Sequence, residues 1–173
     1  GNDVSTVPFV TCDLLDDHPE HDLQVVIPSL DGKFFKSYGA RKTFGGQIVT
    51  VKCFEDNSRV KELLATDGTG KVLVVDGGAS MRCALMGDLI AESAVKNHWN
   101  GVIIYGCVRD VDAIAALDLG VHALASIPQK SNRKGVGEVD VSLHFGQVTF
   151  NSGDYVYADN NGIIVAKEKL VDL

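Results

Sequence analysis

KVLVVDGGASMRCALMGDLIAESAVKNHWNGVIIYGCVRD, residues 71–110, is the stretch on which the fold class turns. Lys71 to Gly78 reads as a buried strand, because a short β-branched apolar run is stopped by an acidic residue and two glycines. After a loop, Gly87-Asp88 opens a segment in which Leu89, Ile90, Ala94 and Val95 recur at helical spacing, so Asp88 belongs in or near a first turn. Val102 to Tyr105 is the next strand, broken at Gly106, and Asp110 precedes Val111, Ile114 and Leu117, which suits a second helix start. Both acids then lie beyond the C-terminal ends of neighbouring strands. In open α/β sheets ligands bind there, because helix N-termini direct free N–H groups and partial positive charge at one crevice.

Outward from this stretch the chain continues as strands and connectors. Ile48 to Cys53 suits a strand, and Asn57-Ser58 caps a short helix through Leu64 with Val60, Leu63 and Leu64 facing inward. Asp67 to Lys71, DGTGK, reads as a turn and not a phosphate loop, since Lys71 leads into a strand. Asp76-Gly77-Gly78 ends a buried strand at the crevice, where a flexible backbone lets a ligand approach or simply makes a tight turn. Val121 to Ala125 is another strand. Beyond the Lys-, Gly- and Ser-rich loop 129–137 come β-rich segments at 139–145, 148–150, 155–158 and 163–165, with Asn161-Gly162 suited to a type I′ hairpin turn. Alternating β/α units followed by hairpins predict a mixed three-layer α/β domain, and no repeat or linker divides residues 1–173.

The candidate chemistry lies in Asp88 and, after twenty intervening residues, the adjacent pair Arg109-Asp110. Arg109 can grip a carboxylate in bidentate fashion, the amides around Gly87 to Ile90 can hydrogen-bond it, and Asp110 can hold a hard divalent cation. Mg²⁺ often takes one or two protein carboxylates and keeps several waters, so Asp88 could orient one of those waters. The plainer alternative is that Asp88 and Asp110 are helix caps and that Arg109 makes a surface ion pair.

Four longer motifs carry a family resemblance: FGGQIVTVKCFEDN (44–57), KVLVVDGGAS (71–80), GVIIYGCVRDVD (101–112) and YADNNGIIV (157–165). From about Arg41 to Val165 the chain resembles the family of the regulator of ribonuclease activity A (RraA), which also contains the class II 4-hydroxy-4-methyl-2-oxoglutarate (HMG) aldolases. The motifs are similar to the regulator branch, whereas Asp88-x20-Arg109-Asp110 matches the aldolase signature. In the best-known regulator an amide residue replaces the Asp of the Arg-Asp pair; Asp110 is retained here. The resemblance implies a swivelling β/β/α sandwich and a ring-shaped homotrimer with sites near subunit interfaces. It implies that the backbone of Gly87, Asp88, Leu89 and Ile90 contacts a 2-oxo acid, that Arg109 pairs with its oxygens, that Asp110 binds Mg²⁺ or Mn²⁺, and that Asp88 holds a metal-bound water. The implied activities are cleavage of HMG to two pyruvates and decarboxylation of oxaloacetate. Characterised aldolases are longer and draw a further carboxylate from a neighbouring subunit, so an end at Leu173 lowers the expected efficiency on HMG.

Composition is compatible with these expectations and excludes rivals. A length of 173 residues with 45% hydrophobic content suits one globular domain, and no apolar run is long enough to span a bilayer. No charged-then-apolar leader opens the sequence, and Cys12, Cys53, Cys83 and Cys107 lack CxxC spacing, which together suit reduced thiols in a cytoplasmic protein. A net charge of −7 argues against direct nucleic-acid binding. It leaves room for a basic protein partner, and the resemblance names one, the endoribonuclease RNase E. Asp13, Asp16, Asp17 and Glu20 are candidate contacts for it, although ordinary solvated charge explains them as well. His18 and His21 fit a polar loop, and His98, His122 and His144 have no acid or nucleophile at a telling spacing.

Overall fold

The computed structural model describes residues 7–28 and 32–173. In chain order the elements are α1 (Thr11–Asp17), β1 (Gln24–Val25), β2 (Lys36–Ser37), β3 (Phe44–Lys52), α2 (Ser58–Leu64), β4 (Lys71–Asp76), β5 (Ala84–Met86), α3 (Asp88–Lys96), β6 (Gly101–Val108), α4 (Val111–Ile114), β7 (Gly120–Ser126), β8 (Glu138–Val139), β9 (Leu143–Phe145), β10 (Val148–Phe150), β11 (Tyr155–Asp159) and β12 (Gly162–Ala166). The large sheet runs β1-β12-β11-β3-β4-β6-β7-β2, with β5 added beside β6 and β8 beside β3. Its centre, β3-β4-β6-β7, is parallel, and the hairpin strands flank it antiparallel.

Alternation along β4 builds the three layers. Leu73 and Val75 face the layer of α2, α3 and α4 with Val60, Leu64, Ala91, Ala94 and Ile114. Val72 and Val74 face the separate β9-β10 hairpin with Leu143, Phe145, Val148 and Phe150. A sheet covered on both faces explains why β4 and β6 are continuous apolar runs instead of alternating ones. Each such Val or Leu contributes roughly 1.5–3 kcal/mol by leaving water. The result is the β/β/α sandwich in a single unit, with Leu14 of α1 and Phe9 just ahead of that helix packed against Tyr157 and Ile164 of β11 and β12.

Several local expectations are corrected. β6 does not break at Gly106 but runs to Val108, with its register against β7 shifting between Ile104 and Cys107; a bulge absorbs the glycine. Asn57 holds the N-cap position of α2, but its side chain makes no capping bond. The Ser58 N–H donates to Asp56 Oδ1 at 2.9 Å, while Asn57 Nδ2 reaches Leu85 O at 3.1 Å and ties the helix to β5. The β11-β12 loop is Asn160-Asn161, since Asp159 pairs with Gly162. Among positive-φ residues in this loop region only Gly162 appears, so the turn is not type I′, which needs positive φ at both central positions. The 139–145 stretch divides into β8 and β9. Residues 67–71 form the turn expected, with Thr69 N–H donating to Asp67 Oδ1 at 3.1 Å. Among the described residues no helix is long and apolar enough to cross a membrane.

Candidate functional site

Strands β5 and β6 are parallel neighbours, and the chain leaves each of them toward the same rim. Gly87 follows β5 and starts α3; Arg109 and Asp110 follow β6 and start α4. The two exits are joined by backbone, as Arg109 N–H donates to Met86 O at 3.0 Å. The topology thereby brings together all the residues singled out at the crevice: Gly87, Asp88, Leu89, Ile90, Arg109 and Asp110.

Asp110 is the hinge of this geometry. Its backbone is left-handed, φ 54° and ψ 43°, a conformation that Asp tolerates better than most residues. From there its Oδ2 accepts the Asp88 N–H at 3.0 Å, so the first free amide of α3 is capped by a carboxylate from the neighbouring strand exit and not by a residue of its own helix. That bond is the chief reason the Asp110 carboxyl is held below the usual carboxylate range, with the Arg109 charge a smaller contribution in the same direction. Arg109 Nε lies 3.8 Å from Asp110 Oδ2, an attraction at a distance too long for a hydrogen bond, and Arg109 Nη1 donates to Pro128 O at 3.3 Å. The two side chains are 39% and 38% exposed, so both charges stand at the surface of the crevice.

Gly87 makes the close approach possible. A Cβ there would sit 2.6 Å from Asp110 Oδ2 and 3.3 Å from Arg109 Cγ and Nε. Its φ of −118° is ordinary, so the glycine answers to space and not to backbone strain. The intrahelical bonding of α3 begins at Ala91, whose N–H donates to Gly87 O at 3.1 Å. With Asp88 committed to Asp110, the amides of Leu89 and Ile90 are the ones left ahead of the first closed turn. Ile90 has its side chain in the core and only its backbone faces this end, while Leu89 is 76% exposed beside the acid.

Other loops at the rim were less legible. Gly77 N–H and Ala79 N–H both donate to Tyr105 O, and Gly78 N–H donates to Asp76 Oδ1, which folds the Asp76-Gly77-Gly78 turn against β6. Glu55 accepts both Arg82 Nε and Nη2 at 2.7 Å and the Ser80 hydroxyl at 2.6 Å. The Arg82 fork holds the Glu55 carboxyl down at about 2. This clamp joins the loops after β3 and β4, and no spacing in the sequence could announce a pair separated by 27 positions. Among the described residues no three His, Cys, Asp or Glu side chains gather as a metal cluster. His18 and His21 stay in a polar loop, with His18 Nδ1 against Leu14 O and His21 near Glu20 and Glu168. All four cysteines are free, and burial pushes the Cys53 thiol up to about 12.

Comparison with known proteins places this geometry. The RraA-like family model, described as Aldolase/RraA, matches residues 11–165. A protein of Acinetobacter baylyi, provisionally named a 4-hydroxy-4-methyl-2-oxoglutarate aldolase, is 81% identical over 168 residues, covering 97% of this chain and 99% of its own. A Pseudomonas syringae pv. tomato protein with the same provisional name is 57% identical over 162 residues, 94% of this chain and 96% of its own. Among solved structures, the RNA-processing inhibitor RraA from Thermus thermophilis superposes with a TM-score of 0.84 at 39% identity, over 92% of this chain and 93% of that one. A Geobacillus kaustophilus structure titled S-adenosylmethionine: 2-dimethylmenaquinone methyltransferase superposes at 0.88 with 45% identity, over 94% and 97%.

Proposed function

The chain belongs to the RraA-like, Aldolase/RraA family, and from that premise we propose that it is a divalent-metal-dependent 2-oxo acid lyase, cleaving 4-hydroxy-4-methyl-2-oxoglutarate to two pyruvates and decarboxylating oxaloacetate. One observation carries this reading: Asp110 is a half-exposed carboxylate, kept ionised by the Asp88 amide and set beside the Arg109 guanidinium. The donor set fits Mg²⁺ or Mn²⁺, which accept one or two carboxylates and keep waters. It does not suit a tetrahedral zinc site, because no third His, Cys or carboxylate joins it among the described residues.

Asp110 would hold the cation, with Asp88 orienting a water of its shell. When bound, the cation supplies Lewis-acid stabilisation of charge developing on the 2-oxo and carboxylate oxygens. Arg109 pairs with the substrate carboxylate and adjacent carbonyl oxygen, and its fork stabilises the enolate formed as the carbon–carbon bond breaks. The Leu89 and Ile90 amides add hydrogen bonds and the positive end of α3. In HMG the 4-hydroxyl proton must leave so that C4 becomes the carbonyl of one pyruvate, while the bonding pair moves into the enolate of the other; Asp88 would position the water that takes that proton. Oxaloacetate loses CO₂ to the same enolate and needs no such base. It is therefore the easier substrate.

A ring-shaped homotrimer belongs to the same reading, and the exposed apolar side chains at the rim support it: Leu89 beside Asp88, and Phe54, 59% exposed, lying over Gly78. The likeness to the Thermus inhibitor supports a second reading, a protein regulator that binds RNase E. The deciding experiment is pyruvate release from HMG and oxaloacetate with Mg²⁺, with EDTA, and in Asp110→Asn. The lyase reading expects turnover abolished by EDTA and lowered roughly 10²–10³-fold by the substitution. No turnover on either substrate overturns it in favour of the regulator, and turnover indifferent to EDTA removes the metal.

A further inference from the structure

On the sheet face away from α3 and α4, a cavity of about 500 Å³ opens between the central strands, residues 26–28 and 33–35, and the two hairpins. None of its lining residues belongs to the Arg109–Asp110 crevice. Val26, Ile27, Phe34, Phe35, Tyr105 and Ile163 give it an apolar and aromatic wall, and the Tyr105 ring is stacked on Phe145 at 4.7 Å, which stiffens that wall.

At its inner end sit two polar side chains. Ser37 and His122 are direct partners in the antiparallel β2-β7 pair, so their side chains stand next to each other on the same face. His122 is only 4% exposed. The Ser37 hydroxyl and both His122 ring nitrogens are buried, and among the described residues none of the three has a hydrogen-bond partner, not even each other. Phe44 meets the His122 ring edge-on at 5.2 Å from another side. Buried polar atoms are nearly always satisfied, and leaving three together unpaired destabilises the fold. An arrangement of this kind is understandable where the partner comes from outside the chain.

We infer that this cavity is a second binding site, taking a small uncharged molecule with a flat apolar body and a terminal hydroxyl or carboxamide that pairs with Ser37 and His122. The wall selects the body. The inner end selects the polar group, since a neutral imidazole offers one donor and one acceptor and the serine hydroxyl does both. Burial keeps the imidazole neutral, holding its pKa at about 4. Charge gives an ion no advantage: Lys33 and Asp159 line the cavity with opposite signs, and Asp159 already accepts the Thr11 amide, the Thr11 hydroxyl and the Asn161 amide at 2.7–2.8 Å.

The test uses the full-length protein and 4-ethylphenol, with 4-ethyltoluene as its near-isosteric apolar control. Ring ¹⁵N shifts of His122 are followed during titration at pH 7.5, and affinities are measured by calorimetry in the wild type, Ser37→Ala and His122→Phe. We expect a saturable shift of the His122 nitrogens and a preference for 4-ethylphenol of about tenfold or more, as one hydrogen bond to an otherwise unpaired buried group provides. That preference should shrink in Ser37→Ala and vanish in His122→Phe. The inference is overturned by the absence of a saturable shift up to the solubility limit, which would mean that water alone satisfies these groups. Equal affinity for the two probes, or a preference that survives His122→Phe, overturns it as well. Should His122→Phe not fold, the wild-type ring shifts and Ser37→Ala decide by the same criteria.

Discussion

Replacing Gly87 by alanine adds one methyl group and tests the crevice directly. The new Cβ would lie 2.6 Å from Asp110 Oδ2 and 3.3 Å from two atoms of Arg109, whereas comfortable contacts lie near 3.5 Å, so the carboxylate must retreat by about 0.5–1 Å. Asp110 has room to do so because its side chain is half exposed, and the φ of −118° at residue 87 suits alanine without strain. The main thermodynamic loss is the Asp88 N–H bond to Oδ2, about 1 kcal/mol after allowing for solvent, partly offset by the stiffer unfolded chain. A domain of this size should lose only about 2–4 °C in Tm. Activity should respond far more, since a displacement of this order in a positioning group costs about 10²-fold in rate. Pyruvate release from oxaloacetate, measured as kcat/KM at saturating Mg²⁺ beside a thermal melt, separates the two effects. A Gly87→Ala protein with kcat/KM within threefold of wild type would refute the claim that Asp110 and Arg109 must stand where this glycine lets them.

Three further outcomes are expected. Arg109→Lys should keep the fold but raise KM and lower kcat together in steady-state pyruvate kinetics, because a point charge cannot reproduce a planar fork; unchanged kinetics would remove Arg109 from its role. The His122 pKa is lowered from 6.5 to about 4 by burial, against the pull of Asp159 and with the push of Lys42. The folded state therefore binds fewer protons than the unfolded one, so this stability is present above pH 6.5 and is lost as pH falls towards 4, by about 3 kcal/mol in all. Urea midpoints at pH 7.5, 6 and 5 should show that arm flattened in His122→Phe, and parallel curves would contradict it. Gly120→Ala should destabilise by about 1–3 kcal/mol in urea unfolding, because its Cβ would fall 2.1 Å from the Phe44 ring, and an unchanged midpoint would show that the ring has room to move.

Between Lys71 and Ser126 the order β4, α3, β6, α4, β7 was legible because buried parallel strands are continuous apolar runs and glycine or acid marks where each ends, whereas the three-residue β5, Ala84–Met86, falls within what the local pattern reads as a loop. Asp88 and Arg109-Asp110 were legible as helix starts for the same local reason. Asp76-Gly77-Gly78 was visible as a turn, though not its double anchorage on Tyr105 O. Local pattern misled at Gly106, where a bulge carries β6 past a residue that usually ends a strand, and at Asn161-Gly162, where the register moved the turn one residue earlier.

By itself, then, the sequence determined the alternating β/α frame, the hairpins at its end, and which residues stand where two helices begin, since these depend on neighbours a few positions away. Only the tertiary structure decided that Asp110 caps the helix of Asp88, that Gly87 must lack a side chain, that Glu55 holds Arg82, and that Ser37 and His122 share the floor of a cavity. Those facts are contacts between residues 22, 23, 27 and 85 positions apart, and no period or local propensity encodes them. They exist because strand pairing in the sheet brings distant chain segments side by side, within about 5 Å.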